Sequence, residues 1–139
     1  MIQRIQSIWL LLASICAFLT FKLPYYSGTM STDTSLAYQE LKGTTGGMVI
    51  LVITALVSML ALVILFLYKQ RVLQLRLCIV GILLEVVLIF LYYQKVKTFT
   101  QGSYALTSML HSAIILFFVL AGQAINKDHN LVKNSDRLR

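Results

Sequence analysis

Long apolar runs alternate with short polar segments along this chain of 139 residues. Four runs contain few charged residues, and they cover residues 5–21, 48–68, 72–93 and 104–124. A helix needs roughly 20 apolar residues to cross a bilayer, and in lipid its backbone must satisfy its own hydrogen bonds. The pattern therefore predicts an all-α polytopic membrane protein, a four-transmembrane-helix bundle with up-down topology.

Tyrosine positions support these boundaries. Six of the seven tyrosines lie at or near the ends of the predicted helices: Tyr25, Tyr26, Tyr68, Tyr92, Tyr93 and Tyr104. A tyrosine ring prefers the membrane interface because one edge is apolar and the other is polar.

The segments between the runs are short, so we predict a single domain over residues 1–139. Residues 22–47 form an outer loop rich in Ser, Thr and Gly, in which residues 36–41 are predicted to make one turn of helix. Residues 69–76 contain neither Gly nor Pro, which favours a tight, largely helical hairpin. The tail, residues 125–139, is interpreted as a helix on the headgroups or as a solvated segment.

The basic residues are distributed unequally between the two sides that this topology defines. Eight lie on one side: Arg4, Lys69, Arg71, Arg76, Lys127, Lys133, Arg137 and Arg139. Four lie on the other: Lys22, Lys42, Lys95 and Lys97. Cytoplasmic loops carry the excess of Lys and Arg, so both termini are predicted to be cytoplasmic.

Composition agrees with membrane residence. The chain is 58% hydrophobic and 12% charged, whereas soluble domains are about 25% charged, which excludes a soluble monomer. The net charge of +7 is accounted for by the loop asymmetry and by attraction to anionic lipid headgroups, so we expect no nucleic-acid partner. Cys16 and Cys78 are interpreted as small packing residues, and no cofactor or metal site is predicted.

One acid lies within a predicted spanning segment. Glu85 is near the middle of the third helix, where a charged side chain costs about 2.5 to 3.5 kcal/mol on insertion scales. His111 on the fourth helix lies at a similar depth, about 10 to 12 Å from the outer end of its helix. We therefore predict that Glu85 and His111 form an intramembrane polar pair.

Helical spacing places both residues on stripes of small and polar side chains. The third helix carries Cys78, Gly81, Glu85, Leu88 and Tyr92, and the fourth carries Tyr104, Ser108, His111, Ile115, Phe118 and Gly122. The first helix carries Ser7, Ser14 and Ala17, and the second carries Thr54, Ser58 and Ala61. Such residues concentrate where membrane helices touch, so the four stripes are expected to face one another.

Two interpretations of the pair remain open. Intramembrane ionisable residues often mark proton relays or coupling sites for transport. The other interpretation is a hydrogen-bonded pair that sets helix register. The chain has one such acid, no internal repeat and no broken helix, so we favour the structural interpretation.

Three short motifs resemble a known family. They are the N-terminal segment at residues 1–6, the basic hairpin at residues 69–78 and the C-terminal segment at residues 131–139. Together they resemble the small bacterial four-helix membrane proteins of domain of unknown function 4293. The resemblance implies residence in the cytoplasmic, or inner, membrane of a Gram-negative bacterium, and it implies no activity.

These motifs gather on the predicted cytoplasmic side. Arg4, Arg71, Arg76, Asp136 and Arg137 would form a contact surface there, with Asp136 pairing one of the arginines or the whole group contacting a partner or headgroups. Because no catalytic set is present, we predict a non-enzymatic accessory or scaffold subunit that binds other membrane components. The alternative is a small oligomeric proton-coupled transporter or lipid-ligand binder that uses Glu85 and His111.

Overall fold

The computed structural model describes residues 3–32, 35–67 and 70–136. Its helices are α1 (Gln3–Leu19), α2 (Met48–Phe66), α3 (Arg71–Val96) and α4 (Met109–Asp136). Its strands are β1 (Tyr26–Thr32), β2 (Ser35–Leu41) and β3 (Gln101–Tyr104). The predicted fold class, a mostly helical chain with four helices, is confirmed.

The helices pack in a ring, because each contacts its neighbour in sequence and α1 also contacts α4. One end of the ring carries the strands, and we call it the sheet end. The opposite end contains the connection from α2 to α3, and we call it the hairpin end. Leu10, Ile64, Cys78, Phe118 and Ile125 belong to the buried apolar cluster between the helices.

Three helices of the described part are long and apolar enough to cross a membrane: α2, α3, and the segment Leu106–Asp128 that contains most of α4. The first helix is shorter, with an apolar stretch at Ile5–Leu19. The outward surface of the helices is rich in exposed Leu, Ile, Val and Phe side chains. That surface is compatible with lipid tails, which are as apolar as these side chains.

The predicted inward stripes match α2 and α3 and are shifted on α4. Thr54, Ser58 and Ala61 are buried, as is the whole predicted stripe of α3. On α4, His111 and Phe118 are buried as predicted, but Ile114 and Ala121 are buried where Ile115 and Gly122 were expected. The predicted stripe is shifted by one residue at these two positions. Adjacent residues there are equally apolar or small, so the sequence pattern does not show which of them faces inward.

The outer loop is a three-stranded antiparallel sheet, which the sequence analysis did not predict. The strand order is β2-β1-β3, with Tyr26 opposite both Leu41 and Tyr104. The predicted turn of helix at residues 36–41 is therefore wrong, since those residues lie in β2. Tyr26 and Leu41 pack onto Ile50, Leu88 and Tyr92, so the sheet closes one end of the apolar core.

The contact between β1 and β3 requires two glycines. Gly28 faces Gly102 across the strands. A Cβ on Gly28 would lie 2.3 Å from the carbonyl oxygen of Gln101, and one on Gly102 would lie 2.6 Å from that of Ser27. Only residues without a side chain allow this approach of two backbones.

Helix ends also differ from the prediction. Tyr104 is in β3 and a short 3₁₀ helix, Leu106–Ser108, precedes α4, so this helix begins later than residue 104. It then continues without interruption to Asp136, which makes most of the predicted tail part of α4. Residues 125–136 contain no Gly or Pro to end the helix.

Candidate functional site

Glu85 and His111 are in direct contact. The Nδ1 atom of His111 lies 2.6 Å from Oε1 of Glu85, which is a short hydrogen bond. Both side chains lie inside the helix ring, with relative exposures of 1% for Glu85 and 3% for His111. The structure thus brings together the two residues that the sequence analysis paired.

Local geometry explains the contact. Glu85 belongs to the buried stripe of α3, and His111 lies in the first turn of α4. The two helices are neighbours in the ring, joined through β3. Because α4 begins at Met109, its first inward-facing position is His111, opposite the middle of α3.

Aromatic rings cover the pair on the side of the sheet. Tyr25 stacks on Tyr92 with a centroid distance of 4.5 Å and an interplanar angle of 13°. The ring of His111 lies 5.4 Å from Tyr25 and 5.1 Å from Tyr92. The buried hydroxyl of Tyr92 lies beside the side chain of Thr54 on α2.

The sheet holds Tyr25 in place through its backbone. The amide of Tyr25 donates to the carbonyl of Leu41 at 2.7 Å, and its carbonyl accepts from the amide of Ala105 at 3.1 Å. Burial raises the pKa of the Tyr25 phenol above its usual value near 10, and the nearby Tyr104 raises it further. Tyr25 is therefore a neutral cover at physiological pH, anchored both to β2 and to the residue between β3 and the 3₁₀ helix.

The clefts that open on the helix ring avoid the contact between Glu85 and His111. Two clefts of 420 and 270 Å³ lie between α2 and α3 and between α3 and α4. Neither cleft is lined by Glu85 or His111. This arrangement suits a closed structural contact more than a ligand site.

The predicted contact surface at the hairpin end is only partly described. Arg71 Nε lies 3.3 Å from Oδ2 of Asp128, so its ion-pair partner is Asp128. Arg76 is exposed on α3. The side chains of Arg4 and Asp136, and Arg137 as a whole, lie outside the described residues.

Three buried polar residues at the hairpin end were not predicted to be buried. Gln6 on α1, Gln74 on α3 and Asp128 on α4 have exposures of 1%, 1% and 8%. Their spacing could have indicated this burial, because Gln74 precedes Cys78 by four residues and Asp128 follows Ile125 by three. Each continues its own buried stripe by one helical turn.

The two cysteines differ in burial, with Cys16 partly buried and Cys78 buried. Cys16 and Cys78 are both free. Within the ranges that the structure describes, no three His, Cys, Asp or Glu residues are close enough together to hold a metal ion.

Comparison with known proteins places the chain in a family. No curated protein and no solved structure matches it. The family model described as Domain of unknown function (DUF4293) matches residues 2–138, which is nearly the whole chain. The three terminal and hairpin motifs noted above lie almost entirely within the matched region. The protein therefore belongs to the DUF4293 family.

Proposed function

We propose that this protein is a non-catalytic accessory or scaffold subunit of the bacterial inner membrane, where it binds other membrane components. The proposal rests on one observation: Glu85 and His111 are buried and contact each other. Inside the helix ring, Glu85 and His111 contact each other at 2.6 Å beneath Tyr25 and Tyr92. Groups held in this way stabilise helix register and offer no free acid or base to a substrate.

The proposed orientation places the hairpin end in the cytoplasm. It is supported by the excess of Lys and Arg in the segments at that end. In this arrangement α1 is a fourth span, with Lys22 extending its charged end to the headgroups. The sheet then lies outside the cytoplasm, and exposed Arg76 lies among anionic headgroups.

Labelling of introduced cysteines tests the orientation. A membrane-impermeant maleimide added from outside should react with cysteine at Ser31 and should not react with cysteine at Lys133. The reverse pattern would overturn the orientation. Cys16→Ala and Cys78→Ala changes remove the background thiols.

Purification in a mild detergent tests the accessory role, with a matched pair of charge reversals on α3. The tagged protein should co-purify at fixed stoichiometry with a distinct membrane protein. Arg76→Glu should weaken that complex, whereas Lys95→Glu, at the opposite end of the same helix, should preserve it. Recovery of the protein alone under several detergent conditions would contradict the proposal.

A second candidate function is proton-coupled transport or lipid-ligand binding. It is favoured by one observation, the contact of an acid with an imidazole inside the helix ring. Four helices enclose little space, so this function would require an oligomer. Reconstituted vesicles distinguish the candidates: a relay predicts that Glu85→Gln folds normally and abolishes pH-dependent flux. Unchanged flux would remove the relay, and lower stability with the partner retained would favour the accessory role.

A further inference from the structure

The sheet end contains two clefts of similar size that differ in charge. One is a cleft of 420 Å³ between α2 and α3, and the other is a cleft of 440 Å³ beside the start of α4. The first is lined by Lys95 together with Gln94, Thr98 and apolar residues that include Met48 and Leu91. The second is lined by uncharged residues: Leu23, Leu106, Thr107, Met109, Leu110 and Ala113. We call them the lysine cleft and the neutral cleft.

Lys95 extends across the lysine cleft from α3 toward the start of α2. A Cβ built on Gly47 would lie 3.9 Å from Nζ of Lys95, which places the ammonium group beside the residue that precedes α2. The acidic side chains that the structure describes pair with other residues: Glu40 with Lys42, Glu85 with His111 and Asp128 with Arg71. The lysine cleft therefore carries one positive charge that no described carboxylate balances.

Interfacial residues indicate the depth of the lysine cleft in a bilayer. Its lysine lies in the last turn of α3. In the same part of the helix Tyr93 is half exposed, and Nζ of Lys97 lies 4.7 Å from the centre of the Tyr93 ring. Aromatic and basic side chains of this kind are typical of the membrane–water interface. One helical turn deeper than the cleft, Val52 on α2 and Val87 on α3 are exposed. The cleft thus lies at headgroup depth, and an apolar surface continues from it toward the middle of the bilayer.

We propose that the lysine cleft binds a phospholipid whose head group has a net negative charge. In this site the phosphate pairs with the ammonium group of Lys95, and the acyl chains lie over Met48 and Leu91 and continue into the bilayer. A zwitterionic lipid gains less, because its own cation balances its phosphate. The volume of 420 Å³ falls in the range of about 300 to 1,000 Å³ that is typical of ligand pockets.

This site goes beyond the accessory role. The lysine cleft lies at the sheet end, whereas the surface assigned to a protein partner lies at the hairpin end. The intramembrane polar pair does not line the cleft either, so the site is separate from the alternative of a transporter. Binding of lipid here and binding of a partner protein can therefore be tested independently.

Methyl NMR of the full chain in detergent micelles, with ¹³C at the methionine methyl groups, tests this site. Met48 lines the lysine cleft and Met109 lines the neutral cleft, so their signals report on the two clefts separately. Phosphatidylglycerol should saturate the shift of Met48 at about one fifth of the concentration that phosphatidylcholine with the same acyl chains requires. At Met109 the two lipids should act alike. Equal affinities of the two lipids at Met48 would overturn the proposal.

A matched pair of lysine variants assigns the preference to the cleft. Lys95→Gln should abolish the preference for phosphatidylglycerol at Met48. Lys97→Gln should preserve it, because Lys97 lies over the Tyr93 ring and does not line the cleft. A preference that survives Lys95→Gln, or that both variants lose equally, would contradict the proposal. If a variant does not fold, the comparison of Met48 with Met109 in the wild-type protein still decides the outcome.

Inorganic phosphate distinguishes a lipid site from a site for free anions. Titrated alone, phosphate should cause no saturable shift at Met48, because it has no acyl chains to occupy the apolar wall of the cleft. Saturation of the Met48 signal by phosphate would overturn the proposal in favour of a site for soluble anions.

Discussion

The helix ring buries polar groups at both ends, and the two ends differ in what satisfies them. Toward the sheet end, Glu85 and His111 satisfy each other under stacked tyrosines. At the hairpin end, Gln6 and Gln74 keep amide atoms that no described side chain or backbone group satisfies. The difference follows from depth. Deep in a bilayer no solvent is available, whereas near the headgroups water can complete a hydrogen bond.

The two ends also differ in how strictly they fix the relative positions of the helices. An acid and an imidazole in contact specify one relative position of α3 and α4. Amide atoms without a partner among the described residues, as in Gln6, specify no such position. The pair toward the sheet end is therefore expected to set helix register, and Gln6 is expected to tolerate replacement.

The largest expected effect comes from removing one member of the pair. His111→Ala leaves the Glu85 carboxyl buried without a partner and should lower the free energy of unfolding by about 3 kcal/mol. The double variant Glu85→Leu/His111→Leu should recover most of that loss, because it removes both buried polar groups. Steric-trap unfolding in bicelles measures both values.

The matched change at the hairpin end is Gln6→Leu. Its cost should be under about 1 kcal/mol, because the Gln6 amide makes no hydrogen bond to the described residues. Equal costs for His111→Ala and Gln6→Leu would abolish the contrast between the two ends.

An effect smaller than that of His111→Ala is expected from the sheet that holds Tyr25. Gly28→Ala places a Cβ 2.3 Å from the Gln101 carbonyl oxygen, and separation of β1 from β3 should cost about 2 kcal/mol. Hydrogen exchange at the amides of β3 should increase. Gly122→Ala is the control, since its Cβ would meet no atom within 4 Å. An unaltered exchange rate in Gly28→Ala would show that the sheet does not depend on this contact.

The ion pair at the hairpin end is expected to contribute less. Arg71 and Asp128 side chains retain 22% and 11% exposure, and Asp128→Asn should cost about 1 kcal/mol. The cost should shrink at high ionic strength, because salt screens exposed charges. The effect of His111→Ala should not depend on salt. Thermal unfolding at low and high salt compares the two variants.

The smallest effect concerns alkaline pH. The pKa of Tyr25 is raised in the folded state, so its contribution is complete below the ordinary tyrosine pKa of about 10 and is lost as pH rises through the folded-state value. Tyr25→Phe should make the unfolding midpoint less sensitive to pH in this range. The same pH dependence in both proteins would assign it to other tyrosines.

Much of the helical architecture was predictable because it depends on repeating local patterns. Apolar runs of sufficient length indicated four helices, and the spacing of Cys78, Gly81, Glu85, Leu88 and Tyr92 identified the buried face of α3. Glu85 and His111 could be paired from depth alone, since a short connection makes α3 and α4 neighbours.

The sequence by itself thus determined the helices, the family and the two residues of the polar pair, because helix periodicity and the cost of a buried charge are local properties. Only the tertiary structure decided the sheet and the tyrosine cover. The contact of Gly28 with Gly102 joins strands that are more than 70 residues apart, and no local pattern records it. The burial of Gln6, Gln74 and Asp128 depends on which helices close the ring around them, although their spacing continues the buried stripes.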